Sequence, residues 1–274
     1  MLDLALRFAE VFLPLLYLLV AVCYGFVFFD KSRAAARLAQ PSLYFLLLLH
    51  LTYLVLLAIR FEQFPAATLA QALSAIAFAI AVVYSLVEWR GQVLNTGFWM
   101  LALAFFFELL STILRSGPPP DRAVFHNPLF ALHAATGLVG YAAFVAAAIY
   151  GFLFLRVYGE LKANRFSVFF GRLPSLEVLE RMMGVALMAG FGALTVTVVT
   201  GAIWADQLYD DWLQDPKILV TAVTWLFYGG VILLWRVRHW PGRHIAVASL
   251  AGFVAVLFSM LAVNLYLTDL HGFH

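Results

Sequence analysis

Eight separate apolar runs of about 20 residues constrain this chain more than any other feature. They lie near 10–29, 41–60, 68–89, 96–115, 128–156, 181–204, 216–236 and 244–267. The hydrocarbon layer of a bilayer is about 30 Å thick and takes roughly 20 helical residues to cross. Backbone N–H and C=O groups find no water there, so each crossing run must be a helix. The runs therefore predict an all-α, polytopic integral membrane protein of about eight transmembrane helices. Composition points the same way. The chain is 64% hydrophobic and only 12% charged, about half the roughly 25% charged share of soluble domains. That supply is too small to cover a water-exposed surface, and no nucleic-acid partner is expected. No linker is long enough to mark a second domain. Residues 1–274 read as a single membrane domain, with an N-terminal four-helix half (1–127) and a second half (128–274).

The breaks between runs carry turn chemistry: Pro41, Pro65, the Ser116-Gly117-Pro118-Pro119-Pro120 stretch, Pro174, Pro216 and Pro241-Gly242. Proline suits a helix start, where its missing N–H has no partner to lose. The opening MLDLALRFAE lacks a basic leader and an A-x-A site, so the first run reads as a retained helix. The segment 157–180 mixes basic residues with Phe and Leu and reads as an interfacial amphipathic helix, with Ser175 placed to cap the helix that follows.

Sidedness follows from Lys and Arg, which concentrate on the cytoplasmic side of membrane proteins. Taking connections alternately, twelve fall in one set: Lys31, Arg33, Arg37, Arg90, Arg156, Lys162, Arg165, Arg172, Arg181, Arg236, Arg238 and Arg243. Five fall in the other: Arg7, Arg60, Arg115, Arg122 and Lys217. The larger set is expected inside, which places both termini outside, together with Asp206, Asp210, Asp211, Asp215 and Asp269. A multi-pass protein of a bacterial cytoplasmic membrane fits this pattern.

Seven histidines are present, and this topology sorts them. His239 and His244 fall in a short basic inner loop. His126 and His274 sit at outer positions with no evident constraint. His133 lies one or two turns below the outer start of the fifth run, and His271 lies just past the outer end of the eighth. The two share one shallow outer layer. Between them in sequence is an aromatic outer stretch holding Trp204, Tyr209 and Trp212, closed by Asp215, Pro216 and Lys217. Two imidazoles beside an aromatic loop suit bis-histidine ligation of heme iron, although each alone reads first as a hydrogen-bonded interfacial residue. Zinc is disfavoured, since no cluster has zinc-site spacing.

Two ionisable residues fall inside the apolar layer, where they are costly and mark function by default. His50, in the second run, reads either as a ligand for heme in transit or as a neutral imidazole bonded to a neighbouring helix. Glu108, in the fourth, reads as a protonated or paired carboxyl. Arg60 and Arg115 end outer helix tips, where a guanidinium meets either a carboxylate such as a heme propionate or the lipid headgroups. The single cysteine, Cys23, allows no internal disulfide and no dithiol chemistry, and reads as a small buried residue.

GAIWADQLYDDWLQDPK, followed by TAVTWLFYGGVILLWR, resembles the tryptophan-rich "WWD" region of the cytochrome c assembly superfamily, which includes the CcsA/ResC and CcmC/CcmF heme-handling proteins. Trp204, Trp212, Asp215, Pro216, Lys217, Thr224 and Trp225 match its pattern. Tyr209 and Gln214 stand where tryptophans are common, and Ile218 replaces a glutamate. ALHAATGLVGYAAF resembles the first flanking-histidine helix, with His133 in that role. GFVAVLFSMLAVNLYLTDLHGFH resembles the family ending, with Gly252, Phe253, Val263, Asn264, Leu270 and His271 matching. LHLTYLVLLAIRFEQFPAATLAQALSAIAFAIAVVYSL is similar to the smaller eight-helix HemX/YpjD-like branch.

The resemblance implies heme handling in cytochrome c-type biogenesis, with a non-covalent, transiently held b-type heme presented at the outer face. His133 and His271 would be the axial pair, within a surface of Trp204, Tyr209, Trp212, Asp215, Pro216 and Lys217. Implied partners are heme, an apocytochrome c and a CcsB-like membrane protein, besides the lipid bilayer. No catalytic acid–base dyad is visible, so any lyase activity would belong to a larger system. Trp235 stands where the family has a membrane histidine, so the chain is not expected to carry the whole heme pathway alone. A HemX-like regulator of tetrapyrrole synthesis and a transporter of another amphipathic cargo are the competing readings. The absence of inverted repeats speaks against the last.

Overall fold

The computed structural model describes residues 2–91, 93–115, 117–121, 123–164, 167, 170–206 and 216–266, with the side chains of 216, 217 and 257–266 outside that description. Among the described residues there are eight α-helices: α1 (Leu2–Asp30), α2 (Arg33–Phe61), α3 (Leu69–Gly91), α4 (Gly97–Ile113), α5 (Pro128–Lys162), α6 (Leu176–Asp206), α7 (Pro216–Arg238) and α8 (Gly242–Tyr266). Six are long and apolar enough to cross a membrane, and Gly97–Ile113 and Gly242–Val256 are shorter apolar helices. The chain is a multi-pass membrane protein, as the run lengths predict.

Consecutive helices run in alternate directions. The starts of α1, α3, α5 and α7 and the ends of α2, α4, α6 and α8 therefore share one end of the bundle, called here the His133 end. The helices α1 to α4 pack together, and α3 joins them to α5 and α6. At 35 residues, α5 is about 52 Å long and outruns the apolar layer. It pairs closely with α6 through small residues. A Cβ added to Gly140 would lie 3.3 Å from the backbone N of Leu194, and one on Gly190 would meet Phe144 at 2.7 Å. On the other side of α5, Gly151 lets α8 approach, since a Cβ there would lie 2.9 Å from the Ala246 carbonyl oxygen. Small residues allow such close backbone approach where van der Waals packing must hold helices together in lipid.

Two local expectations change. Pro41 does not start a helix. It lies inside α2, which begins at Arg33 with the Ser32 hydroxyl accepting from the Ala35 N–H at 3.3 Å. Proline breaks a soluble helix by removing one backbone bond, but a helix in lipid has no water to unwind toward. Here the Ser42 hydroxyl donates to the Ala39 carbonyl at 2.8 Å. Nor is there a separate amphipathic helix over 157–180 among the described residues. α5 runs on to Lys162 because Val157 continues its buried face, and Asn164 at φ 50° then turns the chain. Ser175 does stand at the start of α6, its carbonyl accepting from the Leu179 N–H at 3.0 Å.

Trp235 has a packing role. Its indole N–H donates to Glu180 Oε1 at 3.1 Å, and its ring lies flush on Gly184. Cys23 is half-buried, with Sγ 3.5 Å from the Ala35 carbonyl oxygen.

Candidate functional site

The first turns of α5 are fixed from both sides. Asn127 caps the helix by accepting from the Leu129 N–H at 2.8 Å, with Pro128 at the first position. The preceding turn, Ala123–His126, is tied to the α2–α3 connection. His126 bonds the Glu62 carbonyl through Nδ1 at 2.6 Å and Asp121 Oδ1 through Nε2 at 2.8 Å. Carbonyl and carboxylate oxygens both accept, so both ring nitrogens donate. Asp121 holds the His126 pKa above its ordinary value, helped by the Glu62 carbonyl. The Phe64 N–H adds a bond to the Phe125 carbonyl at 3.1 Å. His126 is thus constrained after all, through a partner 64 residues away in sequence.

This anchoring sets His133, which is half-buried in the second turn of α5. Its Nδ1 lies 3.0 Å from the Thr197 carbonyl oxygen on α6. A carbonyl can only accept, so Nδ1 carries the proton and any metal bond falls to Nε2. The hydroxyls of Thr136 and Thr197 meet at 2.9 Å and hold the two helices in register. Gly201 supplies the space for the ring. A Cβ there would lie 2.7 Å from both Cε1 and Nδ1 of His133.

Aromatic rings continue the surface. The buried Trp204 lies 6.3 Å from the His133 ring and 5.5 Å from Phe130, and Phe130 is 5.5 Å from Phe125. Thr197, Gly201 and Trp204 follow one another at helical spacing on α6, so one face carries the carbonyl, the gap and the ring. Sequence reading singled out His133 and Trp204 but missed Thr197 and Gly201. Their spacing of four and three before Trp204 was the available signal. Together these groups offer a tautomer-fixed imidazole beside a flat apolar wall, an arrangement suited to a planar metal-containing ligand.

The other expected residues are placed as follows. Pro216 opens α7 at the same end of the bundle, with Lys217 next on its backbone. Tyr209, Trp212, Asp215 and His271 lie outside the described residues. His50 is elsewhere, in the N-terminal half. It is fully buried, with Nδ1 2.8 Å from the Tyr17 hydroxyl and Nε2 3.0 Å from Ser74 Oγ. An iron ligand needs a lone pair facing open space, so this geometry matches the interhelical reading of His50. Arg60 and Arg115 both form ion pairs at the ends of their helices. Arg60 pairs with Asp3 at 2.8 Å, and Arg115 pairs with Glu10 on the same helix α1. Among the described residues, no group of three or more His, Cys, Asp or Glu side chains could hold a bare metal ion. A cavity of about 610 Å³ opens at the opposite end, lined by Trp99, Leu103, Ile149, Phe152, Arg156 and Phe253. No histidine is among its described lining residues.

Comparison with known proteins completes the description. The profile of the family described as Cytochrome C assembly protein matches residues 38–271. The cytochrome c biogenesis protein CcsA of Prochlorococcus marinus (strain NATL1A) is 24% identical over 275 residues, covering 89% of this chain and 85% of that protein. CcsA of Chlamydomonas reinhardtii is 26% identical over 238 residues, covering 82% and 65%. A shorter match, 34% identical over 98 residues, covers 35% of this chain and 31% of CcsA from Prochlorococcus marinus subsp. pastoris.

Proposed function

This chain belongs to the cytochrome c assembly protein family, and from that membership we propose that it holds heme for c-type cytochrome biogenesis at the outer face of a bacterial cytoplasmic membrane. His133 and His271 are the axial pair. Trp204, Tyr209 and Trp212 would cover the macrocycle, and Asp215, Pro216 and Lys217 would complete the same heme-binding surface. The observation that carries this reading is the His133 bond to the Thr197 carbonyl, which puts the ring proton on Nδ1 and makes Nε2 the nitrogen that would bind iron. The outer assignment rests on charge. The described members of the set of twelve basic residues all lie toward the end opposite His133.

Heme is cargo here, held as a non-covalent b-type group and passed on. The chain contributes positioning. A second-shell carbonyl orients the imidazole, the aromatic wall excludes water from one side, and the exposed edge is available to an apocytochrome c. With Cys23 as the sole cysteine, the thiols for thioether bonds come from that apocytochrome. A CcsB-like membrane protein is the proposed membrane partner.

Cells lacking this chain should lose covalently bound heme in their c-type cytochromes. The loss is scored by heme-staining of denatured membrane proteins, with recovery on re-expression. Unchanged staining with altered tetrapyrrole levels would favour the regulatory reading instead. A finer test is Gly201→Ala. Its methyl would push the imidazole off the Thr197 carbonyl, and second-shell losses of this kind weaken metal binding by about 10–100-fold. Heme occupancy of the purified variant should fall within that range while the helical fold is retained.

A further inference from the structure

The N-terminal half contains a second arrangement that the heme site does not use. Tyr17 of α1, His50 of α2, Ser74 of α3 and Glu108 of α4 each send one side chain to a common point, and none is more than 1% exposed. The Tyr17 hydroxyl meets His50 Nδ1 at 2.8 Å, and His50 Nε2 meets Ser74 Oγ at 3.0 Å. The Ser74 hydroxyl donates to Glu108 Oε2 at 2.8 Å. Imidazole and carboxyl are 4.0 Å apart, so the serine hydroxyl stands between them as a bridge. Phe78 and Tyr53 close the site, with ring centroids 5.1 and 6.1 Å from that of His50.

Charge balance decides what such a site holds. A lone carboxylate buried in this setting carries an uncompensated charge, at a cost of several kcal/mol. One added proton neutralises the group. It can rest on Glu108, leaving carboxylic acid and neutral imidazole, or on His50, leaving imidazolium facing carboxylate. Ser74 connects the two forms. From the imidazolium form, His50 Nε2–H gives its proton to Ser74 Oγ as the Ser74 hydroxyl proton passes to Glu108 Oε2, the direction in which the serine already donates, and the return runs in reverse. One O–H bond breaks and one forms at the serine, and no other reactant is needed.

Toward the His133 end, Thr112 on α4 and Arg115 just past it follow Glu108 at helical spacing. The Thr112 hydroxyl donates to the main-chain carbonyls of Glu108 at 3.2 Å and Glu10 at 3.3 Å, tying α4 to α1 beside the site. Arg115 and Glu10 form an ion pair whose side chains are 31% and 18% exposed. The titratable and charged groups facing the site are therefore Tyr17 and Glu10 from α1, Tyr53 from α2 and Arg115 beyond α4, while α3 contributes only the serine.

We propose that His50, Ser74 and Glu108 form an intramembrane proton-binding site, loaded and unloaded from the His133 end, where the Arg115–Glu10 pair lies two turns beyond Glu108, just past α4. Ionisable side chains held inside a membrane bundle commonly serve as proton relays. The site needs no heme, so it stands or falls separately from the ligand reading above.

Infrared spectroscopy of the full chain in lipid nanodiscs tests it. The wild type should show a carboxylic-acid C=O absorption that shifts down on transfer to D2O. Glu108→Gln should abolish that absorption, while Glu88→Gln, at the other buried carboxyl, should leave it in place. His50→Gln should strengthen it and hold it to higher pH, because the imidazole no longer competes for the proton. Ser74→Ala should keep the absorption but slow its exchange in D2O several-fold. An absorption that never shifts in D2O, or one unchanged in Glu108→Gln, overturns the proposal. If Glu108→Gln does not fold, an unaltered exchange rate in Ser74→Ala overturns it instead.

Discussion

His133→Ala is expected to reduce heme affinity by more than the roughly 10–100-fold that loss of a group orienting a metal ligand costs. The substitution removes the nitrogen proposed to bind iron, along with the ring that Gly201 and the Thr197 carbonyl hold in place. The effect on stability should be small by comparison. One half-buried hydrogen bond is lost, worth about 1 kcal/mol, and the Thr136–Thr197 contact that holds α5 against α6 remains. Heme titration of the purified variant, read beside its thermal unfolding in detergent, separates the two effects. Added imidazole should restore part of the binding, because it can enter the space the side chain vacates. Equal losses of heme affinity and of fold would instead assign His133 to packing.

The largest effect on stability is expected at Gly97→Val. Gly97 begins α4 where α1 and α3 converge, and even a single Cβ there would overlap the rings of Tyr24 and Tyr84. Both rings are fully buried and pack edge-on at 5.5 Å, and the Tyr24 hydroxyl donates to Glu88 at 2.6 Å. Neither ring can swing aside without breaking that set. Overpacking a tight core costs about 1–3 kcal/mol and occasionally more, and valine here belongs at the top of that range or above it. Gly192→Ala is the matched control. A Cβ at that position meets nothing within 4 Å, and alanine favours helix over glycine by about 1 kcal/mol. Melting temperatures in one detergent should fall sharply for the first variant and stay level or rise for the second.

The eight helices were legible because run length alone decides whether a segment can cross lipid. Pro41 was misplaced as a boundary because a proline rule drawn from water-exposed helices weakens where no solvent competes for the backbone. His133 and Trp204 were legible from type and spacing. Thr197 and Gly201 act only through the register of α5 against α6, which no single run encodes. His50 and Glu108 were each marked as costly in lipid, yet their connection through Ser74 depends on three helices meeting at one level. The same holds for Arg60 and Arg115, whose partners Asp3 and Glu10 lie on α1, and for His126, whose partner Glu62 lies 64 residues away in sequence. Tyr209, Trp212, Asp215 and His271 remain sequence readings, since they lie outside the described residues.

Heme ligation by His133 and His271 is the central proposal. The most direct measurement is the reduced visible spectrum of the chain purified from heme-replete cells. The account predicts the sharp paired bands of low-spin, bis-histidine heme, lost in His133→Ala and lost equally in His271→Ala. A colourless protein, or bands that survive both substitutions, would contradict it.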